Sequence, residues 1–161
     1  MKTAVLLNSW QQIPRNIEAL IAGLSDDELT KLPGSEGLSL KELVHHITEA
    51  NIVAATMIIA ALGASGSTFD WSWLWPNREW TDRLGYSKVP TATSLRTLDD
   101  LVAHVSNVVK AAGRGALKRK VRLFDSPGAE TYTKTVAELI QQEVDHAAEH
   151  LGDVRKARNK G

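Results

Sequence analysis

Apolar residues recur at spacings of three and four along most of the chain, a pattern that predicts amphipathic helices. The first such run extends from Leu6 to Leu24 and contains Pro14, where we expect a bend or a late helix start. Ser25 and Glu28 form a capping-box pattern, which predicts a short helical turn after this run. No segment shows convincing strand periodicity, so we expect a helical protein.

Three more long helices follow. Of the four long helices, the third is predicted to begin at Thr97, where two aspartates occupy the first turn, and to end near Ala112. Four long amphipathic helices without strands predict an all-α fold, an antiparallel four-helix bundle that forms one domain over residues 1–161. The other two helices begin at capping boxes: Ser39 with Glu42, for a second helix that reaches about Leu62, and Thr135 with Glu138, for the last helix.

A long insertion separates the second and third helices, from about Gly63 to Ser94. Connections in helical bundles are usually about 2–8 residues long, and longer ones are often functional. The insertion contains four of the five tryptophans, which line an aromatic substrate pocket, pack the insertion onto the bundle or do both, and we favour packing. These residues are Trp71, Trp73, Trp75 and Trp80.

The charge balance argues against a nucleic-acid partner. Nineteen basic and nineteen acidic residues cancel, so no global field attracts an anionic polymer. The basic runs at 117–122 and 155–161 lie at or beyond helix ends, where cations complement the helix dipole. The chain has no cysteine, so disulfides and thiolate ligands are excluded, and any metal site must use nitrogen and oxygen ligands.

Apolar segments are too short for export or membrane insertion. The N-terminal apolar run is only AVLL, and the run over 52–64 is shorter than the roughly 20 residues of a membrane-spanning helix. We therefore expect a cytoplasmic protein without a membrane partner. The second helix also presents Ile52, Ala55 and Ile59 opposite its core stripe, and either the insertion or a second subunit covers them. We lean towards a homodimer.

Five histidines supply the candidate chemistry. His146 and His150 lie four apart on the last helix, on one face and beside its apolar stripe, so both can reach one ion. On the second helix a helical wheel directs His46 towards the edge of the buried arc and His45 towards solvent. His104, at the edge of the third helix, is a reserve candidate. The spacing alone also fits a solvated helix face, so it is weak evidence without the third histidine.

Three neutral imidazoles from two helices, with positions left open, make a catalytic type of site for a divalent ion. Zinc is the usual occupant, and nickel, iron or manganese remain open. Histidine ligands normally donate their other ring N–H to an acidic or carbonyl group. Glu49, one turn after His46, and Glu143 and Asp153, one turn either side of the histidine pair, are candidates for this role, and Glu49 or Glu143 for a catalytic base.

Two segments resemble the DinB/YfiT-like superfamily of metal-binding four-helix proteins. They are LSDDELTKLPGSEGLSLKELVHHITEAN (24–51) and VDHAAEHLGDV (144–154), and the resemblance covers nearly the whole chain. The family pattern places one ligand on the second helix and two on the fourth. Carried over to this sequence, the ligands are His46, His146 and His150.

The resemblance implies a metal-dependent enzyme that acts on a small molecule. Characterised relatives include isomerases and S-transferases that use a low-molecular-weight thiol as cosubstrate, and hydrolases are a further type. The lack of cysteine is compatible with this chemistry, because the thiol arrives with the cosubstrate. The alternative is a non-catalytic small-molecule-binding or stress-response protein of the same fold.

Overall fold

The first helical run is divided in two, as its proline predicts. The computed structural model describes residues 3–73, 77–125 and 130–158. Helix α1 spans Thr3–Gln11 and α2 spans Ile13–Ile21, with Pro14 in the first turn of α2, where its missing N–H has no intrahelical partner to lose. A short helix, α3 (Asp26–Lys31), follows and begins at the predicted Ser25–Glu28 capping box.

The second long helix of the bundle, α4 (Leu40–Gly63), is its central element. It begins at the predicted Ser39–Glu42 capping box and packs against both α6 (Thr91–Ala111) and α7 (Val136–Arg158). Helices α1 and α2 also pack against α6 and α7, so the four long helical segments share one core. The prediction of a four-helix bundle is confirmed.

Helix α6 begins at Thr91 and not at Thr97, so the predicted start was wrong. Pro90 precedes it in extended conformation, and the Thr91 hydroxyl donates a 2.7 Å hydrogen bond to the Asp26 carboxylate. This contact joins the helix start to α3, which is distant in sequence. Local sequence patterns cannot indicate such a start.

The core contains a buried polar pair at the centre of the bundle. Trp10 of α1 donates its indole N–H to the Asn51 side-chain oxygen of α4 over 2.7 Å, and both residues are fully buried. The Asn51 amide in turn donates to the Ile47 carbonyl over 2.8 Å. Because every buried group of this pair is satisfied, it fixes α1 on α4 without an unpaired polar atom.

A small three-stranded sheet lies beside the helices, so the expectation of no strands was wrong. Strands β1 (Thr68–Asp70), β2 (Lys120–Phe124) and β3 (Tyr132–Thr135) pair in that order, β1 parallel and β3 antiparallel to β2. Within β2, Val121 and Leu123 are buried and their neighbours are more exposed. Strands of three to five residues are too short for a clear alternation.

The long insertion has its own elements. Between β1 and α6 it forms α5 (Asn77–Leu84) and a 3-10 turn, Tyr86–Lys88. Arg78 of α5 donates to both carboxylate oxygens of Glu42, over 2.8 and 3.2 Å, and so fixes the insertion to the start of α4. The side chains of Ile52 and Ile59 nevertheless remain 42% and 46% exposed, whereas Ala55 is buried.

Helix α4 is the helix that, among the described residues, is long and apolar enough to cross a membrane. Half of its most apolar window is buried inside the bundle. Core helices meet the same criterion of length and composition, so this finding is weak evidence for a membrane span.

Candidate metal centre

Three imidazole nitrogens converge between α4 and α7. The Nε2 atom of His146 lies 3.2 Å from Nε2 of His46 and 2.8 Å from Nε2 of His150. All three rings offer a ligand atom within 4.8 Å of the other two. Two nitrogens bound to one zinc ion at about 2.1 Å lie roughly 3–3.5 Å apart. The predicted trio is therefore brought together with spacings close to those of metal ligands.

Hydrogen bonding among the rings does not explain this convergence. A neutral imidazole nitrogen either carries a proton or offers a lone pair, and it cannot do both. Nε2 of His146 therefore cannot accept from one neighbour while it donates to the other. If all three Nε2 atoms offer lone pairs, they repel one another unless a cation lies between them. The donor set fits a divalent ion.

The other ring nitrogen of His150 has a partner that favours this arrangement. Nδ1 of His150 makes a short hydrogen bond with the Ser35 hydroxyl, which precedes α4, and both residues are buried. If Nδ1 carries the ring proton and donates it to Ser35, the lone pair is left on Nε2. Ser35 thus contacts the candidate ligand His150 from a position that no sequence motif indicated.

Glu143 lies beside the same histidines. Its Oε2 atom is 3.8 Å from Nδ1 of His146, beyond ordinary hydrogen-bond distance, and has no hydrogen-bond partner within the described part of the chain. The residue is only 4% exposed. An unpaired buried carboxylate oxygen is costly, so a cation or a proton donor in the site would stabilise it. The predicted position of Glu143 at the site is consistent with this geometry.

Burial favours the neutral form of His46 and His150. Desolvation, followed by the neighbouring imidazoles, lowers the pKa of His46 to about 4. Desolvation and His146 also lower the pKa of His150. Imidazole binds metal only in its neutral form, so these nitrogens are available at neutral pH without competition from protons.

A cavity of about 230 Å³ opens next to the histidines. His46, His146 and Glu143 form one polar part of its lining. The sheet supplies one wall, which includes Tyr132 and Lys134 of β3. The apolar lining consists of Ala50, Val53, Ala54, Met57, Leu123 and Leu139.

His45 is buried, which corrects the expectation that it faces solvent. Its side chain is 2% exposed, and its ring nitrogens meet the Ser94 hydroxyl at 2.6 Å and the Val89 carbonyl at 3.0 Å. The wheel assumed one buried face for the helix. Because α4 is the central helix, α6 and the end of the insertion cover a second face.

Glu49 and His104 are not brought to the cluster. The Glu49 carboxylate accepts a 2.6 Å hydrogen bond from the Trp80 indole and lines a different cavity, together with His45 and Tyr86. Burial, followed by a hydrogen bond to Glu49, raises the pKa of Tyr86. His104 is exposed on α6. A catalytic role for Glu49 stays a prediction without support from this geometry.

The tryptophans of the insertion divide between the two cavities. Trp71 packs against the core and also lines the cavity beside the histidines, so both readings of the cluster apply to it. Trp73 is 45% exposed and lines the cavity of Glu49, with its ring 5.6 Å from that of Trp80. Trp75 lies outside the described residues.

The sheet residues at the cavity were missed by sequence reasoning. The two-residue spacing of Tyr132 and Lys134 places them on one face of β3, but a strand of four residues is too short for this spacing to indicate a strand in the sequence.

Fold and site together define a four-helix bundle with a candidate three-histidine metal centre between two of its helices. The family model of the DinB superfamily matches residues 9–154, and the chain belongs to this superfamily. Among solved structures it is similar to YfiT from Bacillus subtilis, described as "a probable metal-dependent hydrolase with an unusual four-helix bundle topology". That likeness has a TM-score of 0.80 at 12% identity and covers 99% of this chain and 87% of YfiT. No protein with curated annotation matches in sequence.

Proposed function

We propose that this chain is a divalent-metal-dependent enzyme that acts on a small, largely apolar molecule. The observation that carries the proposal is the convergence of three Nε2 atoms next to an apolar cavity. Pockets for drug-sized ligands measure about 300–1,000 Å³. A cavity of about 230 Å³ favours a substrate of metabolite size.

His46, His146 and His150 are the proposed ligands, and Ser35 keeps the His150 ring in its binding orientation. A divalent ion held by these residues would lower the pKa of a coordinated water or thiol and so supply a nucleophile near neutral pH. We propose zinc as the resident ion, because three neutral imidazoles with open positions are typical of catalytic zinc. Nickel, iron and manganese bind similar donors.

Glu143 is the proposed proton acceptor. Its Oε2 atom is buried, without a hydrogen-bond partner in the described ranges, and the residue lines the cavity beside His46 and His146. A carboxylate in this position can take the proton of the attacking group and hold it next to the substrate. Glu49 faces the other cavity, so we assign it no step.

Two reaction types fit this site. Hydrolysis is favoured by the description of YfiT as a probable metal-dependent hydrolase. Thiol-dependent S-transfer or isomerisation is the other type, and the absence of cysteine means that the thiol would be a low-molecular-weight cosubstrate. Both types use the same ligands and the same base.

We also propose a homodimer in the cytoplasm. The exposed side chains of Ile52 and Ile59 on α4 support an interface between two copies. Balanced charge gives no support to a nucleic-acid partner.

Activity assays on protein purified without a histidine tag or added metal test the function. Elemental analysis identifies the ion, and p-nitrophenyl esters and a small thiol with an aryl halide probe the two reaction types. We expect turnover that a chelator abolishes, the metal restores and Glu143→Gln reduces at least tenfold. Bound metal without turnover of any probe would favour the non-catalytic binding protein instead.

A further inference from the structure

One wall of the cavity carries a cation that forms no ion pair within 4 Å with a described carboxylate, although its charge acts at longer range on Glu138. Lys134 of β3 lines the cavity, and its ammonium group donates to the Gln142 side-chain oxygen and lies 5.8 Å from the Tyr132 ring centre. None of the ion pairs within the described ranges includes Lys134. An ammonium group has three donors, so two remain for a ligand.

A second buried donor lies on the same wall. The indole Nε1 of Trp71 is buried and has no hydrogen-bond partner at ordinary distance in the described part of the chain, although the Tyr132 hydroxyl is close. The Trp71 backbone N–H bonds to Phe124 and so extends the edge of the sheet. A buried donor of this kind is stabilised when a ligand supplies an acceptor.

The remaining lining restricts the ligand further. Between the sheet wall and the histidines the cavity is bordered by aliphatic side chains of α4 and α7 and by Leu123 of β2. Apart from the histidines, Lys134 is the only cation among the described lining residues. One ammonium group suits a single negative charge, whereas multiply charged phosphate groups usually require several cationic or amide donors.

We propose that the substrate is a monocarboxylate with an apolar body, whose carboxylate binds at Lys134 and Trp71 while its apolar body extends towards the histidines. This inference depends on the proposed function only in that the bound carboxylate is a substrate. The carboxylate site itself is formed by Lys134 and Trp71, which are not proposed metal ligands. The site selects the ligand by its charge at one end and its apolar surface in the middle. Neutral compounds of the same shape lose the contact with Lys134.

Binding of 3-phenylpropionate and of its primary amide tests this proposal directly. The two probes have the same shape and differ in charge, and titration calorimetry measures both on metal-loaded and on metal-free protein. We expect the carboxylate to bind about tenfold more tightly than the amide in both forms. Lys134→Gln should remove this preference, and Lys134→Arg should retain it.

Lys120→Gln is the matched control, since Lys120 is exposed on the same sheet and does not line the cavity. It should leave the preference unchanged. A preference that survives in Lys134→Gln, or no binding of either probe, would overturn the inference. If the preference instead depends on the metal and not on Lys134, the carboxylate binds the ion, and the proposed function survives alone. If the preference depends on Lys134 but the protein holds no metal, the proposed function fails and the carboxylate site stands.

Discussion

Two adjacent histidines of α4 have opposite surroundings. On one face, both ring nitrogens of His45 meet oxygen atoms, the Ser94 hydroxyl at 2.6 Å and the Val89 carbonyl at 3.0 Å. On the other face, within the described ranges, the polar neighbour of His46 Nε2 is an imidazole nitrogen, Nε2 of His146, 3.2 Å away. Burial lowers the pKa of both histidines. The two faces therefore differ in whether the polar atoms are satisfied, while His45 is buried and His46 is half-buried.

This difference separates a structural histidine from a candidate ligand. A buried imidazole that donates to a carbonyl and accepts from a hydroxyl has no capacity left for a ligand. Imidazole nitrogens that face one another keep lone pairs that are available to bind a ligand such as a metal ion. Unsatisfied polar atoms beside a cavity are thus more informative here than burial or a shifted pKa.

The largest predicted effect on stability concerns the face of α4 that carries His45, where both ring nitrogens have hydrogen-bond partners. His45→Ala removes both hydrogen bonds and leaves a cavity, so we expect the free energy of unfolding to fall by about 3 kcal/mol. His46→Ala in metal-free protein should cost clearly less, because it removes no such pair of contacts. Urea unfolding of both variants measures the difference. Equal losses would contradict the division between the two faces.

Glu143→Gln tests the unsatisfied face. Removing the buried negative charge should weaken metal binding on the order of 100-fold. This is the upper end of the loss expected when a group next to the metal ligands is removed. Stability of the metal-free protein should be unchanged or higher, because an unpaired buried carboxylate is replaced by a neutral amide. Competition with a metallochromic chelator measures the affinity. Unaltered metal affinity would show that Glu143 does not contribute to metal binding.

The stability of metal-free protein should depend on pH through His46. Its folded pKa of about 4 lies below the ordinary value of 6.5, so the unfolded chain binds the proton more tightly. Stability is therefore complete above about pH 6.5 and falls as the pH drops towards 4, by roughly 2 kcal/mol after allowance for partial exposure. Urea unfolding with chelator at several pH values should show a weaker dependence for His46→Asn. His104→Ala is the control, and a dependence equal to that of wild type in His46→Asn would contradict the assignment.

The smallest effect is expected at Ser35, which contacts the candidate ligand His150 and is not itself a proposed ligand. Ser35→Ala removes the partner of His150 Nδ1, and we expect about a tenfold loss of metal affinity, since the lost partner is a neutral hydroxyl. Ser35→Thr retains a hydroxyl and should lose less. The same chelator competition measures both variants, and equal losses would indicate that the hydroxyl does not orient the ring.

The helical framework and the histidine trio could be predicted from sequence because their signals are local. The three capping boxes at Ser25, Ser39 and Thr135 are all present, with their hydrogen bonds. The four-residue spacing of the last helix and the direction of His46 on α4 selected the residues that converge. Such signals depend on helix geometry alone.

The features that sequence reasoning missed depend on contacts between distant segments. His45 is buried because α6 and the insertion cover a second face of α4. Helix α6 begins early because Thr91 meets Asp26, and the sheet joins strands that are far apart in the chain. Lys134 reaches the cavity only through that sheet. None of these contacts leaves a periodic pattern in one segment.

Metal binding by four single alanine variants tests the central claim most directly. His46→Ala, His146→Ala and His150→Ala each remove one of the converging nitrogens, and the exposed His104 provides the matched histidine control. We expect one divalent ion per chain in wild type and in His104→Ala, by elemental analysis after dialysis, and a loss of at least 100-fold in affinity in each of the other three. Equal metal content in all five proteins would contradict a three-histidine centre.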